Sequence, residues 1–457
     1  MEKISYTITP ATLPNSLSAK DIFEELSKTP WALFFDSAGD SAQDNQFDIL
    51  LHSPAKTIVT YPQHSVVTDR LSGEETILND DPIEIAQRTH RELLNNVEFK
   101  QKELANRLPF LIGIAGMFGY DLGRHFEHLP SPFDTDTNCP DMALGLYDRS
   151  LIFDKHNQQL FECRPESSKP FKIKDTAQSF LPFTLTDSWQ ANTSEQTYLE
   201  KLARIRQYLI DGDCYQVNFA QRFSAPYSGD EYLAYRALSE ANRAPYSAFM
   251  RLESCSILSI SPERFLSVKN GHVETKPIKG TRPRSADPTL DKKLAAELLE
   301  SEKDRAENLM IVDLLRNDIS KHCRPNSVNV PSPFALESYA AVHHMVSTVT
   351  GELDDDSDPF TLLRDAFPGG SITGAPKIRA MQIIDELEIA PRHIYCGSMG
   401  YIGAKNDMDT SICIRTILAE NKQLHCWAGG GIVIDSDARD EYQECLDKVN
   451  KILPVLL

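Results

Sequence analysis

The chain has 457 residues, with 47 Lys plus Arg against 66 Asp plus Glu, a formal charge of −19, and it is 41% hydrophobic and 9% aromatic. That composition excludes a disordered or fibrous chain, and the length allows about one to three domains with a substantial core. The acidic balance, with no long Lys/Arg tract, excludes general nucleic-acid binding, because little would release counterions from a phosphate backbone.

The nine cysteines are scattered singly without a C-x-x-C pair, as expected of reduced thiols in a cytosol. The opening MEKISYTITPATLPN has no apolar signal-like core. The longest apolar stretch, around Phe110 to Tyr120, is shorter than the roughly 20 residues of a membrane span. A soluble cytoplasmic protein is expected.

In chain order, WALFFDS, FDILLHS and TIVTYP read as strands and IEIAQRTHRELLNNVEF as a helix, followed by the Gly-punctuated LIGIAGMFGYDLG. Periodicity is lost in PFTLTDSWQAN, which divides the chain into domains 1–185 and 193–457. A capped helix from Thr193 ends at Gly212, and CYQVNFAQRF, FMRL, CSILSIS and RFLSVK follow as strands. Further helices are expected at 303–316, 377–388 and 437–453. This order is neither strict βαβ nor all-β and predicts an α+β fold of mostly antiparallel sheets packed with helices.

Several chemistries find no signature. PGGSITGAPK has glycines at P-loop spacing but Ala375 where the lysine belongs, and GGGIV lacks the third glycine of a dinucleotide fingerprint. No G-x-S-x-G, H-E-x-x-H or Cys/His zinc spacing occurs.

What remains are carboxylates, one arginine and one lysine. On the last helix Ala438, Tyr442, Cys445, Leu446, Val449, Ile452 and Leu453 form an apolar stripe, and Glu441, Glu444 and Lys448 line a second stripe about 100° around the axis. On that helix alone, a solvated face with a Glu444–Lys448 pair is the simpler reading. KDRAENLMIVDLLRND, however, places Asp304 and Glu307 three apart on another helix. Two such faces meeting across a cleft would suit Mg²⁺, which takes one or two carboxylates and completes its shell with water and substrate oxygens. Two unrelated acidic surfaces would show the same spacing.

In MDTSICIRTIL, Arg415 is expected on a strand buried on both faces, with Cys413 and Ile417 as neighbours. A guanidinium there needs a carboxylate or phosphate, from the protein or from a ligand. PGGSITGAPK leading into KIRAMQIIDEL offers a helix N-terminus as an anion seat, and GGGIV allows close backbone approach. Glu263 ends an apolar strand, and Lys279 sits in KPIKGTRPR, where prolines argue against a regular sheet position. For Lys279 to act as a nucleophile its pKa must fall, since at a value near 10.4 only about 0.04% is neutral at pH 7.

SPERF, PIKGT, RAENLMIVDLLRND, FPGGSITGAPK, GSMGYIG, ICIRT, AGGGIV and DEYQECLDK, in that order, resemble the chorismate-utilising enzymes, most closely their aminodeoxychorismate branch. The resemblance spans nearly the whole chain and is tightest from about Thr193 to Lys448. It implies an anthranilate synthase component I-like fold, with 193–457 as the chorismate-binding catalytic domain. Lys279, where anthranilate synthases typically have Ala, would attack C2 of chorismate. Gln216 stands where isochorismate synthases carry a water-activating lysine.

By the same resemblance, Mg²⁺ would be held by Glu307 and Glu444 with Asp304 and Glu441 behind them, and Glu263 would protonate the departing C4 hydroxyl. Arg415, Tyr401 and Gly431 would hold the enolpyruvyl carboxylate. Ser371, Thr281 and Lys448 match pocket positions, and His344 matches a family histidine near the ring.

Without a G-x-C-x-G glutaminase nucleophile, ammonia is expected from a separate glutamine amidotransferase subunit. Ser37, Pro245, Tyr246 and Ser247 match a tryptophan site of some relatives, whereas Asp44, Asn45 and Gln46 depart from its aromatic and basic residues. An anthranilate or isochorismate synthase relative, and a catalytically silent amidotransferase-binding scaffold, are the other readings.

Overall fold

A period of two runs through the central strands and assigns each side chain to one of two cores. Leu33, Ile49, Leu51, Ala248, Met250 and Ile257 point to one buried cluster, while their neighbours Phe34, Leu50, Phe249 and Leu258 point to another. A sheet covered on both faces demands apolar residues at every position, and this accounts for unbroken runs such as CSILSIS, which forms the strand Cys255–Ser261 with every residue buried.

The computed structural model describes residues 3–11, 17–38, 46–129, 137–172, 180–339 and 342–457. Its strands form a fourteen-stranded and a twelve-stranded sheet. Among the described residues the pairings are antiparallel except that of Ile4–Ala11 with Val97–Phe99. The first core lies between the sheets, taking Met117, Leu144, Leu266 and Met399 from the smaller one. The second lies on the outer face of the larger sheet, under helices that supply Phe23, Tyr198, Leu202, Tyr235 and Leu238.

Residues 1–185 and 193–457, expected as two domains, contribute to the same two sheets and the same inter-sheet core. Leu33–Asp36 pairs with Tyr246–Arg251 in one sheet, and Gly113–Phe118 pairs with Ser398–Gly403 in the other. The aperiodic stretch between them holds two short strands, Thr184–Leu185 and Gln190–Ala191, both laid against Gln216–Ser228. Among the described residues no helix is long and apolar enough to cross a membrane.

The expected helices occur as Glu195–Ile210, Glu302–Ser320, Lys377–Leu387 and Ala438–Val449. Ser194, Ser301 and Asp437 cap three of them by accepting from backbone N–H groups in the first turn. The helix predicted through Phe99 ends at Leu94, and Val97–Phe99 is instead a strand.

Lys279 also departs from expectation. Ile278–Pro283 is a strand at the edge of the twelve-stranded sheet, where a terminal proline is tolerated. Lys279 pairs with Met345, but Thr281 pairs with His344, so Gly280 is an extra bulged residue. It has φ of +74°, and a Cβ there would lie 2.7 Å from Leu298 Cδ1 and 3.0 Å from Asp304 Cγ. Gly280→Ala is therefore expected to lower stability by about 1–3 kcal/mol. Urea unfolding measures this, and an unchanged midpoint would show that the bulge tolerates a side chain.

Candidate active site

The bulged edge strand, the helices Glu302–Ser320 and Ala438–Val449, and the paired strands Gln216–Ser228 and Gln423–Ile432 enclose a cavity of about 740 Å³. It collects most of the residues singled out in the sequence. Glu263, Lys279, Thr281, His344, Ser371 and Arg415 line it, with Gly431 and Lys448 on the opposite wall. Asp304, Glu307, Glu441 and Glu444 also line it, so the two acidic helix faces do meet across one opening.

Lys279 and Glu263 lie within electrostatic reach of each other. Burial pushes the Glu263 carboxyl up to about 7, although the Lys279 charge, the Ser371 hydroxyl and the Ile278 N–H favour its ionised form. Ser371 Oγ donates to Glu263 Oε1 at 3.1 Å. Burial pushes Lys279 down, opposed by Glu307 and Glu263 and reinforced by Lys448. An amine and a carboxylic acid are thus both moved toward neutrality.

The bulge at Gly280 brings Thr281 Oγ1 within 2.9 Å of His344 Nδ1. Burial lowers the His344 pKa to about 4, so the ring is neutral near pH 7. Its neighbour His343 points elsewhere, toward Ser338 at 2.7 Å and Asp291 at 3.1 Å. Lys448 Nζ donates to the Gly429 carbonyl at 2.9 Å and pairs with Glu444 at 2.8 Å.

Arg415 is not on a strand. It has φ of +52° in the connection between Met408–Ile412 of one sheet and Thr416–Glu420 of the other. Because the chain changes sheets here, the side chain enters the space between them. Burial lowers its pKa, and among the described residues no carboxylate pairs with it. A ligand anion, rather than a structural partner, is what its charge lacks.

Two expectations are corrected. Tyr401 does not line the cavity. Its ring packs on Phe35 and Phe110 in the inter-sheet core, with centroids 5.7 and 5.3 Å away. The tyrosine on the cavity wall is Tyr395, stacked with its ring 8° from that of Trp427. HIYCGSMGYIG contains both tyrosines, and strand alternation alone does not say which one faces a ligand. The helix N-terminus at Lys377 is likewise absent from the lining, and Lys377 Nζ bonds Asp318 at 2.9 Å and the Ala366 carbonyl at 2.8 Å.

Gln216 lies just behind the wall. It is fully buried, its amide oxygen and nitrogen have no partner, and its Nε2 is 3.0 Å from where a Cβ on Gly431 would be. Asn218 and Trp427, not anticipated from the sequence, line the cavity with an unpartnered Oδ1 and Nε1.

Outside the lining, Ser37 and Tyr246–Ser247 come together where Ser247 pairs with Asp36. The Arg264 guanidinium lies 5.3 Å from the Tyr246 ring centroid. Asp44 and Asn45 fall outside the described residues, and Gln46 donates to Asp154 at 3.2 Å.

The carboxylates suit an open cation site. Burial raises Glu307 and Glu441, and like charges add to this: Asp304 and Glu441 act on Glu307, and Glu444 acts on Glu441. Glu444 is held below the ordinary range by Lys448 despite its burial. Asp304 pairs with Arg282 at 3.1 Å, Glu441 accepts from Ser436 at 2.6 Å and Glu444 pairs with Lys448 at 2.8 Å, which leaves Glu307, among the described residues, the one of the four with no direct hydrogen-bond or ion-pair partner. Among the described residues no three His, Cys, Asp or Glu groups already converge as a closed metal cluster. Carboxylate oxygens are the ligands that a hard cation such as Mg²⁺ takes.

Comparison with known proteins agrees with this geometry. The family model described as chorismate binding enzyme matches residues 40–454. Aminodeoxychorismate synthase component 1 of Klebsiella aerogenes is 49% identical over 441 residues, covering 95% of this chain and 96% of that protein. The protein of the same name from Escherichia coli K12 is 48% identical over 444 residues, covering 96% of each. Anthranilate synthase component I from Streptococcus pneumoniae superposes with a TM-score of 0.75 at 29% identity, over 91% of this chain and 93% of that one, and so bears out the expected fold class. A family match and relatives of this identity, both extending along nearly the whole chain, establish that it belongs to the chorismate binding enzymes.

Proposed function

We propose that this chain converts chorismate and ammonia to 4-amino-4-deoxychorismate and water. The observation that carries the proposal is the half-buried Lys279 beside the buried Glu263 in the cavity. The names of its nearly full-length relatives support it.

In the first step the uncharged Lys279 Nζ bonds to C2, both double bonds of the ring diene shift by one position, and the C4–O bond breaks. Glu263 gives its proton to the departing hydroxyl, which leaves as water. In the second, ammonia bonds to C4, both double bonds shift back to restore the diene, and the C2–N bond to Lys279 breaks. The proton lost by the incoming nitrogen restores Glu263.

Arg415 and Tyr395 are placed to hold the enolpyruvyl carboxylate, with the backbone at Gly431 admitting it closely. Neutral His344, held by Thr281, lies at the ring. Glu307 and Glu444, with Asp304 and Glu441 behind them, would hold Mg²⁺, which when bound supplies positive charge for the ring carboxylate. Ammonia comes from a separate glutamine amidotransferase subunit, since the chain carries no G-x-C-x-G nucleophile.

Incubation with chorismate and Mg²⁺ but no ammonia is expected to leave an adduct on Lys279, visible by peptide mass spectrometry. With saturating ammonium, Lys279→Ala should make product far more slowly. Normal speed in that variant, or anthranilate as the product of the unaltered protein, would reject the reaction.

The turnover profile should be bell-shaped in pH. Turnover needs Glu263, pushed up to about 7, to carry its proton and Lys279, lowered from its ordinary value, to be uncharged, so activity passes through a maximum and falls on either side of it. Glu263→Gln is expected to lower kcat by about 10²–10⁴. A flat profile through neutrality would count against the pair.

Chelation with EDTA should abolish turnover, and added Mg²⁺ should restore it. Glu307→Gln and Glu444→Gln should each raise the Mg²⁺ concentration at half-maximal activity by at least about tenfold. Full activity in the chelated protein would remove the metal from the proposal.

A further inference from the structure

Arg392 is 1% exposed, and its ion pair with Glu388 is buried with it. Nε donates to Glu388 Oε2 at 3.0 Å and Nη2 to Oε1 at 2.6 Å. The remaining reach of the fork goes to two backbone carbonyls on separate elements: Nη1 to Ile372 at 3.1 Å and Nη2 to Asn218 at 2.8 Å. Glu388 also accepts from the Ala220 N–H at 2.9 Å. The guanidinium lies 5.7 Å from the Tyr395 ring centroid and 4.8 Å from that of Tyr120.

Ile372, Asn218 and Tyr395 all line the cavity. Ile372 closes the 3₁₀ turn Gly370–Ile372 whose middle residue, Ser371, donates to Glu263. As a stability device the ion pair is poor, because a buried pair of this kind is often no better than well-packed apolar side chains of the same volume. As a fork with fixed geometry it does what an apolar pair cannot, setting two carbonyls from different elements at one spacing.

We infer that Arg392, neutralised by Glu388, is a positioning residue that holds the Ser371 turn against the carboxyl of Glu263. The inference rests on the proposed role of Glu263 as proton donor. The groups facing that carboxyl are Lys279 from the edge strand, the Ile278 N–H, Ser371, and the Cys396 thiol from the segment after Arg392. Arg392 therefore acts on it through Ser371, whose hydrogen bond favours the ionised form. When the turn relaxes that bond is lost, and the titration midpoint of Glu263 rises.

The test follows Glu263 by ¹³C-carboxyl NMR, with the resonance assigned by its loss in Glu263→Gln. Arg392→Lys keeps the positive charge beside Glu388 but not the planar fork. It is expected to raise the midpoint by about 0.5–1 pH unit, as Ser371→Ala does, and the double variant should rise no further. In turnover, the limb of the pH profile that reports Glu263 moves up in parallel, and kcat falls roughly tenfold with KM nearly unchanged, as loss of orientation at the proton donor requires.

If Arg392→Lys does not fold, Glu388→Met/Arg392→Met replaces the pair at similar volume, and the same shift is expected of it. An unmoved midpoint in a folded variant overturns the inference, as does a shift that adds to that of Ser371→Ala. The midpoint is read without turnover, so the expected shifts in a protein that makes no product would support the tie while rejecting the proposed reaction.

Discussion

Transfer of charged groups from water to a protein interior sets the terms for this site. A lysine and a glutamic acid share one cavity, and desolvation moves each toward its neutral form, the acid up to about 7 and the amine below its ordinary value. Were either side chain solvated, the amine would stay protonated and the acid ionised, and neither could act. The covering of both sheet faces, the helices over the cavity and the bulge that admits Lys279 all serve that one requirement.

Charge is sorted along the cavity in a way that follows from which elements reach it. The helices Glu302–Ser320 and Ala438–Val449 bring Asp304, Glu307, Glu441 and Glu444 to one side. The connection between sheets brings Arg415, its pKa lowered by burial, to another, beside Lys451, whose pKa is lowered by burial and by the Arg415 charge. A flat anionic ring with one further carboxylate matches such a cavity when a cation offsets the acidic side and the guanidinium meets the second carboxylate. Lys448 lies between the two, tied to Glu444 and to the Gly429 carbonyl, and so limits the repulsion among the carboxylates.

Much of this was legible in the sequence because periodicity and residue chemistry report local geometry directly. Spacing of three placed Asp304 with Glu307 and Glu441 with Glu444, and the helices formed as read. The run CSILSIS was legible as a strand, and the structure adds that Cys255–Ser261 is buried on both faces. Where a residue's role depends on what packs against it, sequence logic gave way. Arg415 sits in a left-handed turn between sheets rather than on a strand, because nothing in ICIRT marks the change of sheet. Tyr401 and Tyr395 share a segment, and only the packing of Phe35 and Phe110 assigns the former to the core. Arg392 and Glu388 showed no pattern beyond helical spacing at the end of a helix.

The N-terminal stretch is also part of the site. Tyr120 lies against the Arg392 guanidinium, and its N–H donates to the His393 carbonyl at 2.6 Å, while the His393 N–H donates to Asp121 at 3.0 Å. Arg124 closes the contact with bonds of 2.6 and 2.8 Å to Asp385 on the helix Lys377–Leu387. The 3₁₀ segment Tyr120–His125 thus grips both ends of the chain that carries Glu388 and Arg392. Since Gly113–Phe118 pairs with Ser398–Gly403, the grip is made from within a shared sheet rather than across a movable interface. The first part of the chain is therefore tied to Arg392, and through it to the Ser371 turn, by backbone hydrogen bonds and one guanidinium.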